Sequence, residues 1–310
     1  MSEPKPWRRE QRRSRRDSAA AAPVAATRDR PARSLPVQGR SLSKPARRPA
    51  SAGIWLYGRH AVTAALANPD RRWRRLVVLA GQAAEALTLV QSAGAAWQGG
   101  GEAVQVLDPA DLAALLPASA VHQGLALEVE PLAERNLDNV LQDIDGAAGR
   151  RVVVVLDQLS DPHNIGAVLR SAAAFGALAV IIPSHGAPPV TGALAKAASG
   201  AIESVPLVRV VNLVRAIDRL KGAGFWICGL DETASRRLAE LDLGERIVLV
   251  LGSEGSGMRR LVRERCDFVA ALPTRAAQPT LNVSNAAAVA LYELIRQRIY
   301  ENAPLNQKAR

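Results

Sequence analysis

Three stretches of this sequence bring polar, chemistry-bearing residues to the end of an apolar run. The first is Asp161-Pro162-His163-Asn164, with Arg170 six residues beyond the asparagine. The second is Gly252-Ser253-Glu254-Gly255-Ser256-Gly257, directly after the run 247–251. The third is Thr280-Leu281-Asn282-Val283-Ser284-Asn285, which follows the run 268–272 across an irregular polar stretch. Clustered glycines let a backbone bend sharply and let a ligand approach its N–H and C=O groups. Two such loops after neighbouring strands can enclose one small ligand with backbone groups. Each piece also has an ordinary reading: Asn164 as a helix cap, Arg170 as a surface charge, the glycines as a strand-to-helix turn. Asp157, Asp161 and His163 match no metal-ligand spacing, so no metal is expected. His60, His122 and His185 are scattered and read as structural or surface residues. No Gly-x-Gly-x-x-Gly opens a helix after a first strand and no Gly-Lys-Ser/Thr loop occurs, which leaves the Rossmann and phosphate-loop readings unsupported.

The elements that must position these residues follow from the hydrophobic pattern. Strands are predicted at 152–156, 179–182, 207–210, 226–230, 247–251 and 268–272, with helices between most of them and a long helix over 285–300. Runs apolar on both faces belong to a parallel sheet covered on both sides, and ligands of such sheets sit at the carboxyl ends of the strands. After Asp161, the stripe Ile165, Val168, Leu169 and Ala172 is the buried face of a helix, and Arg170 falls off it. Ser284 or Asn285 is expected to cap the last helix.

Before this region, residues 53–130 alternate shorter strands (54–57, 76–79, 104–107, 125–129) with helices (59–67, 83–93, 109–115), the pattern of a small α/β/α domain. Arg71, Arg72, Arg74 and Arg75 surround Trp73, either as an RNA-contacting patch with an aromatic platform or as a solvated corner with Trp73 packed inward. Residues 131–150 read as a linker containing a short helix over 134–145, and 303–310 as a C-terminal tail.

With 310 residues, 48% of them hydrophobic, the chain can build two domains with real cores. No run reaches the ~18–20 apolar residues of a membrane span. Two cysteines, Cys228 and Cys266, are too few for a disulfide framework and read as buried reduced thiols. The net charge of +11 is concentrated at one end, because residues 1–53 hold 14 Lys or Arg against four acids. Residues 1–52 hold almost no large apolar side chains and read as a disordered basic tail, open to either a polyanion such as RNA or solvent alone. Their Arg-rich and Ala-rich character also suits an organelle transit peptide, against which the four acids and the prolines argue.

Taken together, Asp161-Pro162-His163-Asn164 with Arg170, Leu251 to Met258, and Leu281-Asn282-Val283-Ser284 resemble the three motifs of the SpoU (TrmH) RNA 2′-O-ribose methyltransferases. Tyr57-Gly58-Arg59-His60-Ala61-Val62, Val121-His122-Gln123-Gly124 and residues 198–206 extend the likeness over nearly everything after residue 53. They point to the RlmB-like subgroup, which methylates a guanosine ribose in large-subunit (23S) ribosomal RNA. The resemblance implies a SPOUT-type trefoil-knotted parallel-sheet domain over 151–302 that binds S-adenosyl-L-methionine, behind an L30e-like RNA-binding domain over 53–130. It also implies an RNA-binding homodimer; the lack of an apolar span leads to the expectation of no membrane partner and of the cytoplasm, with an organellar matrix as the alternative that the Arg-rich N-terminus suggests.

The same resemblance implies residue roles. Gly252, Leu272 and Leu281, with Leu251 and Ser284, would hold the cofactor through backbone groups. Arg170 would act at the reacting ribose, and Asn164 and Asn282 would order the site. Glu254 would contact RNA or fix its loop, and Thr280 would face the substrate; apart from the resemblance, Arg74 and Arg75 would face it too if the basic cluster around Trp73 contacts RNA. Thr280 stands where the family usually has Ser, keeping the hydroxyl, and Asn285 replaces a residue that is usually apolar. Arg170 is either a proton acceptor assisted by an RNA phosphate or an electrostatic clamp on the ribose hydroxyl. Transfer RNA as substrate, or a non-catalytic RNA-binding dimer of the same fold, are the competing expectations.

Overall fold

A computed structural model describes residues 53–99, 102–144, 151–275 and 280–302. The expectations for residues 1–52, 145–150 and 303–310 lie outside the described residues. The described chain forms two sheets.

The first sheet comprises β1 (Ile54–Tyr57), β2 (Arg72–Leu79), β3 (Ala96–Trp97), β4 (Val104–Leu107) and β5 (Leu125–Val129), with α1 (Arg59–Ala67), α2 (Ala83–Gln91) and α3 (Pro109–Ala114) between them. Its order is β1-β5-β2-β3, and β4 also pairs with β2. β5 runs antiparallel to both β1 and β2, whereas β3 and β4 lie parallel to successive halves of β2. β2 starts at Arg72, four residues before the expected 76, and β3 was not expected at all. The cause is partly ionic. Arg75 pairs with Glu128 at 2.7 Å and Arg74 with Glu130 at 3.2 Å across the β2/β5 ladder, extending a strand whose sequence there looks like a charged corner. A register shift between Trp73 and Arg75 breaks the alternation and turns Trp73 onto the buried face of Leu76 and Val78, where it is 2% exposed and donates to the Ala95 carbonyl. The inward reading of Trp73 therefore holds, and Trp73 is not an aromatic platform.

The second sheet is all parallel, in the order β11-β9-β10-β6-β7-β8. Its strands are β6 (Arg151–Leu156), β7 (Ala179–Pro183), β8 (Leu207–Val210), β9 (Trp226–Leu230), β10 (Arg246–Leu251) and β11 (Phe268–Ala270). The helices are α4 (Leu137–Asp143), α5 (Pro162–Ala174), α6 (Gly192–Ala198), α7 (Leu213–Gly222), α8 (Arg260–Arg263) and α9 (Val283–Asn302). Strand side chains alternate between faces. Val152, Val154 and Leu156 join a core with α5, α6 and α9, while Val153 and Val155 join one with α4 and α7. Each such fully buried aliphatic side chain contributes about 1.5–3 kcal/mol relative to exposure. The segment read as a linker is thus partly structural, because Leu137, Val140 and Ile144 are buried on the second face.

Central strands β6 and β10 pair from Arg246↔Arg151 to Leu251↔Leu156, so both end at one level. β11 stops at Ala270 rather than at residue 272, and α9 starts at Val283, two residues before the expected 285. Both cysteines are free, and burial first of all pushes Cys228 up to about 12 and Cys266 up to about 11, which keeps both thiols protonated at neutral pH. Among the described residues no helix is long and apolar enough to cross a membrane.

Candidate active site

The carboxyl ends of β9, β10 and β11 open onto a cleft of about 670 Å³. Its central wall is the loop after β10. Ser253 and Gly257 exchange both backbone hydrogen bonds, at 3.1 and 2.9 Å, closing the loop into a tight hairpin. Gly255 and Gly257 take φ values of 82° and 65°, which favour glycine. A Cβ on Gly252 would stand 2.1 Å from the carbonyl carbon of Gly257, so no other residue fits there without moving the loop.

The loop is anchored at its far end. Asp157, at the carboxyl end of β6 and fully buried, accepts from the backbone N–H of Arg259 at 2.8 Å and from its Nε at 2.7 Å. A buried carboxylate needs such partners to offset its lost hydration. Asp157, weighed from the sequence as a metal ligand, is thereby committed to the chain return. Next to it Met258 covers Gly229 of β9, where a Cβ would meet the methionine methyl at 2.6 Å.

Three sequence-predicted residues meet in one junction. Asn282 Nδ2 donates to Glu254 Oε1 at 2.7 Å and to Asn164 Oδ1 at 3.1 Å. Its Oδ1 accepts from Ser284 N at 2.9 Å and Ser284 Oγ at 2.6 Å. Both donors and both lone pairs of this one amide are used, which fixes its orientation. Glu254 Oε1 also accepts from the N–H of Val283, the first residue of α9, where a carboxylate suits the positive end of the helix dipole. Asn282 is itself the cap of α9, its carbonyl accepting from Ala286 N at 2.9 Å, and this corrects the expectation of Ser284 or Asn285. At α5 the cap is Asp161, which accepts from His163 N at 2.9 Å with Pro162 in the first turn. That frees Asn164 to face Asn282.

Leu251, Gly252, Glu254, Leu272, Thr280, Leu281 and Asn282 all line the cleft. Among the described residues, no backbone N–H or C=O of Gly252, Leu272 or Leu281 bonds another part of the chain, so these groups are open to a ligand. Asn164 and Ser284 stand behind the lining as partners of Asn282. Arg170 is exposed, lies outside the lining, and has no hydrogen bond or ion pair among the described residues. Six residues along a helix are about 9 Å and about 1.7 turns, so Arg170 and Asn164 face different directions. Arg74 and Arg75 belong to the other sheet, are held by Glu130 and Glu128, and do not reach the cleft; Arg75 also lies 5.0 Å over the Trp55 ring. Sequence reasoning missed Asp231, Glu232 and Thr233, which form a further wall. The rule that drew attention to the other loops, polar residues directly after a buried strand, would have found them after β9.

Residues 151–292 match the SpoU rRNA Methylase family, and residues 55–135 match the RNA 2′-O ribose methyltransferase substrate binding family. The chain belongs to the SpoU family of RNA 2′-O-ribose methyltransferases, with a substrate-binding domain preceding the catalytic one. It is 42% identical over 247 residues to the 23S rRNA (guanosine-2′-O-)-methyltransferase RlmB of Coxiella burnetii, covering 78% of this chain and 95% of that one. It is 37% identical to an uncharacterized tRNA/rRNA methyltransferase of Synechocystis sp., covering 82% of this chain and 65% of the relative's length. The fold is that of the SpoU methyltransferase AviRb from Streptomyces viridochromogenes, solved with AdoMet, at a TM-score of 0.65 and 24% identity over 80% of this chain and 91% of that one.

Proposed function

We propose that this chain transfers a methyl group from S-adenosylmethionine to the ribose 2′-hydroxyl of a guanosine in 23S ribosomal RNA. The observation that carries the proposal is the junction in which Asn282 joins Glu254 and Asn164 beside the cleft, because it draws three distant motifs into one wall. A volume of about 670 Å³ lies in the range of ~300–1,000 Å³ that suits cofactor-sized ligands. The open backbone groups of Gly252, Leu272 and Leu281 and the lack of room for a Cβ on Gly252 suit a ligand pressed against the main chain. When bound, the cofactor supplies an already electrophilic methyl on a sulfonium.

The chain's own task is alignment and proton removal. The walls from Leu251, Gly252, Leu272 and Leu281 hold the donor in one orientation, and Asn164, Asn282 and Ser284 keep those walls in place. Glu254 fixes the loop to α9, the alternative its two hydrogen bonds support over direct contact with RNA. Thr280 at the mouth faces the substrate. Arg170 brings a planar guanidinium cation with no partner among the described residues, and it acts as the electrostatic clamp that eases loss of the hydroxyl proton.

The finer features belong to the same reading. Val289 and Tyr292 expose 47% and 42% of their surface on α9, and a second copy of the chain covers them in a homodimer. Arg170 supports that assembly, since it stands apart from the cleft of its own chain. The knotted topology, the cytoplasm and the domain limits at 53–130 and 151–302 complete the proposal.

Purified protein, labelled cofactor and 23S rRNA from a strain lacking the gene should give incorporation at one guanosine ribose. Incorporation into transfer RNA alone, or none with intact RNA binding, would replace this reading. Removing residues 1–52 is expected to leave the melting temperature unchanged while weakening RNA affinity and flattening its dependence on salt, by about 0.7–0.9 log units of slope per lost phosphate contact. An unchanged salt slope in a filter-binding titration would show that the tail does not touch RNA.

A further inference from the structure

We infer that Arg71 and Glu203 are positioning residues that lock the five-stranded module onto the six-stranded one, so that bound RNA meets the cleft in a single register. The inference rests on the proposed RNA methylation, and on a joint that the chemistry of the cleft does not use. The side chains of Arg71, just before β2, and Glu203, in the turn after α6, are 3% and 5% exposed. The guanidinium forms a fork: Nε donates to Glu203 Oε2 at 3.1 Å and Nη2 to Oε1 at 2.6 Å. Its Nη1 donates to the Glu130 carbonyl at 2.8 Å, and Asn68 Nδ2 donates to Glu203 Oε2 at 2.8 Å. Two desolvated charges with this many partners add little net stability over an apolar pair, but they tolerate only one relative placement of the groups that carry them.

The surroundings are equally exacting. Leu56, Val62, Ala65 and Leu66 of the first module share one apolar core with Leu194, Ala198 and Ile202 of the second. The surfaces approach so closely that a Cβ on Gly192 would stand 2.2 Å from the Trp55 carbonyl oxygen, and one on Gly200 would stand 2.5 Å from Ala64 Cβ. At the other end of the joint, Lys196 Nζ donates to Gln123 Oε1 at 2.8 Å, and the same oxygen accepts from the N–H of Arg59. A charge fork, a close-packed seam and an amide tie fix three separated points, which removes hinge motion between the modules. An RNA gripped by the first module therefore places one ribose, rather than a range of them, over the cleft.

The test uses the full chain in three forms: wild type, the double variant Arg71→Leu/Glu203→Leu, and Gly192→Ala, which wedges the seam without touching a charge. Spin labels on Gln91→Cys and Arg215→Cys, one in each module, report the intermodule distance independently of activity. Wild type should give one narrow distance distribution, and both variants a broader one. Cofactor affinity should change less than about twofold, while kcat/KM on 23S rRNA falls about a hundredfold and methyl groups spread to neighbouring riboses. A broad distribution in wild type overturns the lock. So does a folded, cofactor-binding variant that methylates the same single ribose at the wild-type kcat/KM. A narrow distribution in a wild type that does not methylate rRNA would instead remove the functional reading and leave the mechanical lock standing.

Discussion

Arg170→Ala is expected to lower methyl transfer to RNA about a thousandfold while leaving the cofactor dissociation constant within about twofold of wild type. The magnitude follows from the loss of one group that stabilises a developing oxyanion, which costs about 10²–10³ in turnover. The separation of the two effects follows from placement. Arg170 is exposed, lines no part of the cleft, and is bonded to nothing among the described residues, so its removal disturbs neither the loop walls nor the fold. The α5 stripe of Ile165, Val168, Leu169 and Ala172 stays fully buried, and a surface change of this kind shifts stability by about 0.5 kcal/mol or less. Single-turnover methylation and calorimetric cofactor titration on the same preparation give both numbers. Near-normal turnover would remove Arg170 from the reaction, and a large loss of cofactor affinity would make it part of the pocket. Arg170→Lys refines the result: partial recovery assigns the effect to charge, whereas none assigns it to the planar fork that Lys lacks.

The second sheet was legible because its central strands β6, β7 and β10 are runs apolar on both faces, the pattern expected of parallel strands covered by helices on both sides. Strand ends were less so. β2 begins at Arg72 because the backbones of Gln98 and Glu130, distant in sequence, pair with Trp73 and Arg72, while Glu128 and Glu130 neutralise an arginine run that by itself reads as a corner. The reading of Trp73 stayed open between platform and inward packing for a related reason, since its burial depends on a register no local pattern reveals. At the site, each motif was visible as polar residues behind a buried strand, and the junction through Asn282 was not. One side-chain amide links residues 118 and 28 positions apart, and neither spacing carries a signal. The divergence of Arg170 from Asn164 was readable from helical phase alone, since six residues are not a multiple of 3.6. Asp157 carried no signal of its role: its spacing to Asp161 and His163 fits no metal pattern, and only its burial and its grip on Arg259 make it the anchor of the glycine loop.

That loop provides the other large effect, and it separates hydrogen bonding from charge at one carboxylate. Both interactions of Glu254 use a single oxygen, Oε1, which accepts from Asn282 Nδ2 and from the N–H of Val283. In Glu254→Gln the amide oxygen can accept both, and what is lost is the charge at the start of α9, about 0.3–1 kcal/mol or roughly a two- to fivefold effect. Glu254→Ala loses both bonds and leaves Asn282 free to turn, which at about 1–3 kcal/mol for the unmet groups releases the loop from α9. Cofactor affinity is therefore expected to fall less than about fivefold in the glutamine variant and further, by up to about a hundred-and-fiftyfold, in the alanine variant, with methylation following affinity in both. Isothermal titration of the two variants decides the matter. If glutamine falls as far as alanine, the negative charge itself is what the site uses, and Glu254 faces the RNA rather than holding the wall. If neither variant changes cofactor affinity, the junction at Asn282 is not what keeps the cleft in shape, and the glycine loop must be held from its Asp157 end alone.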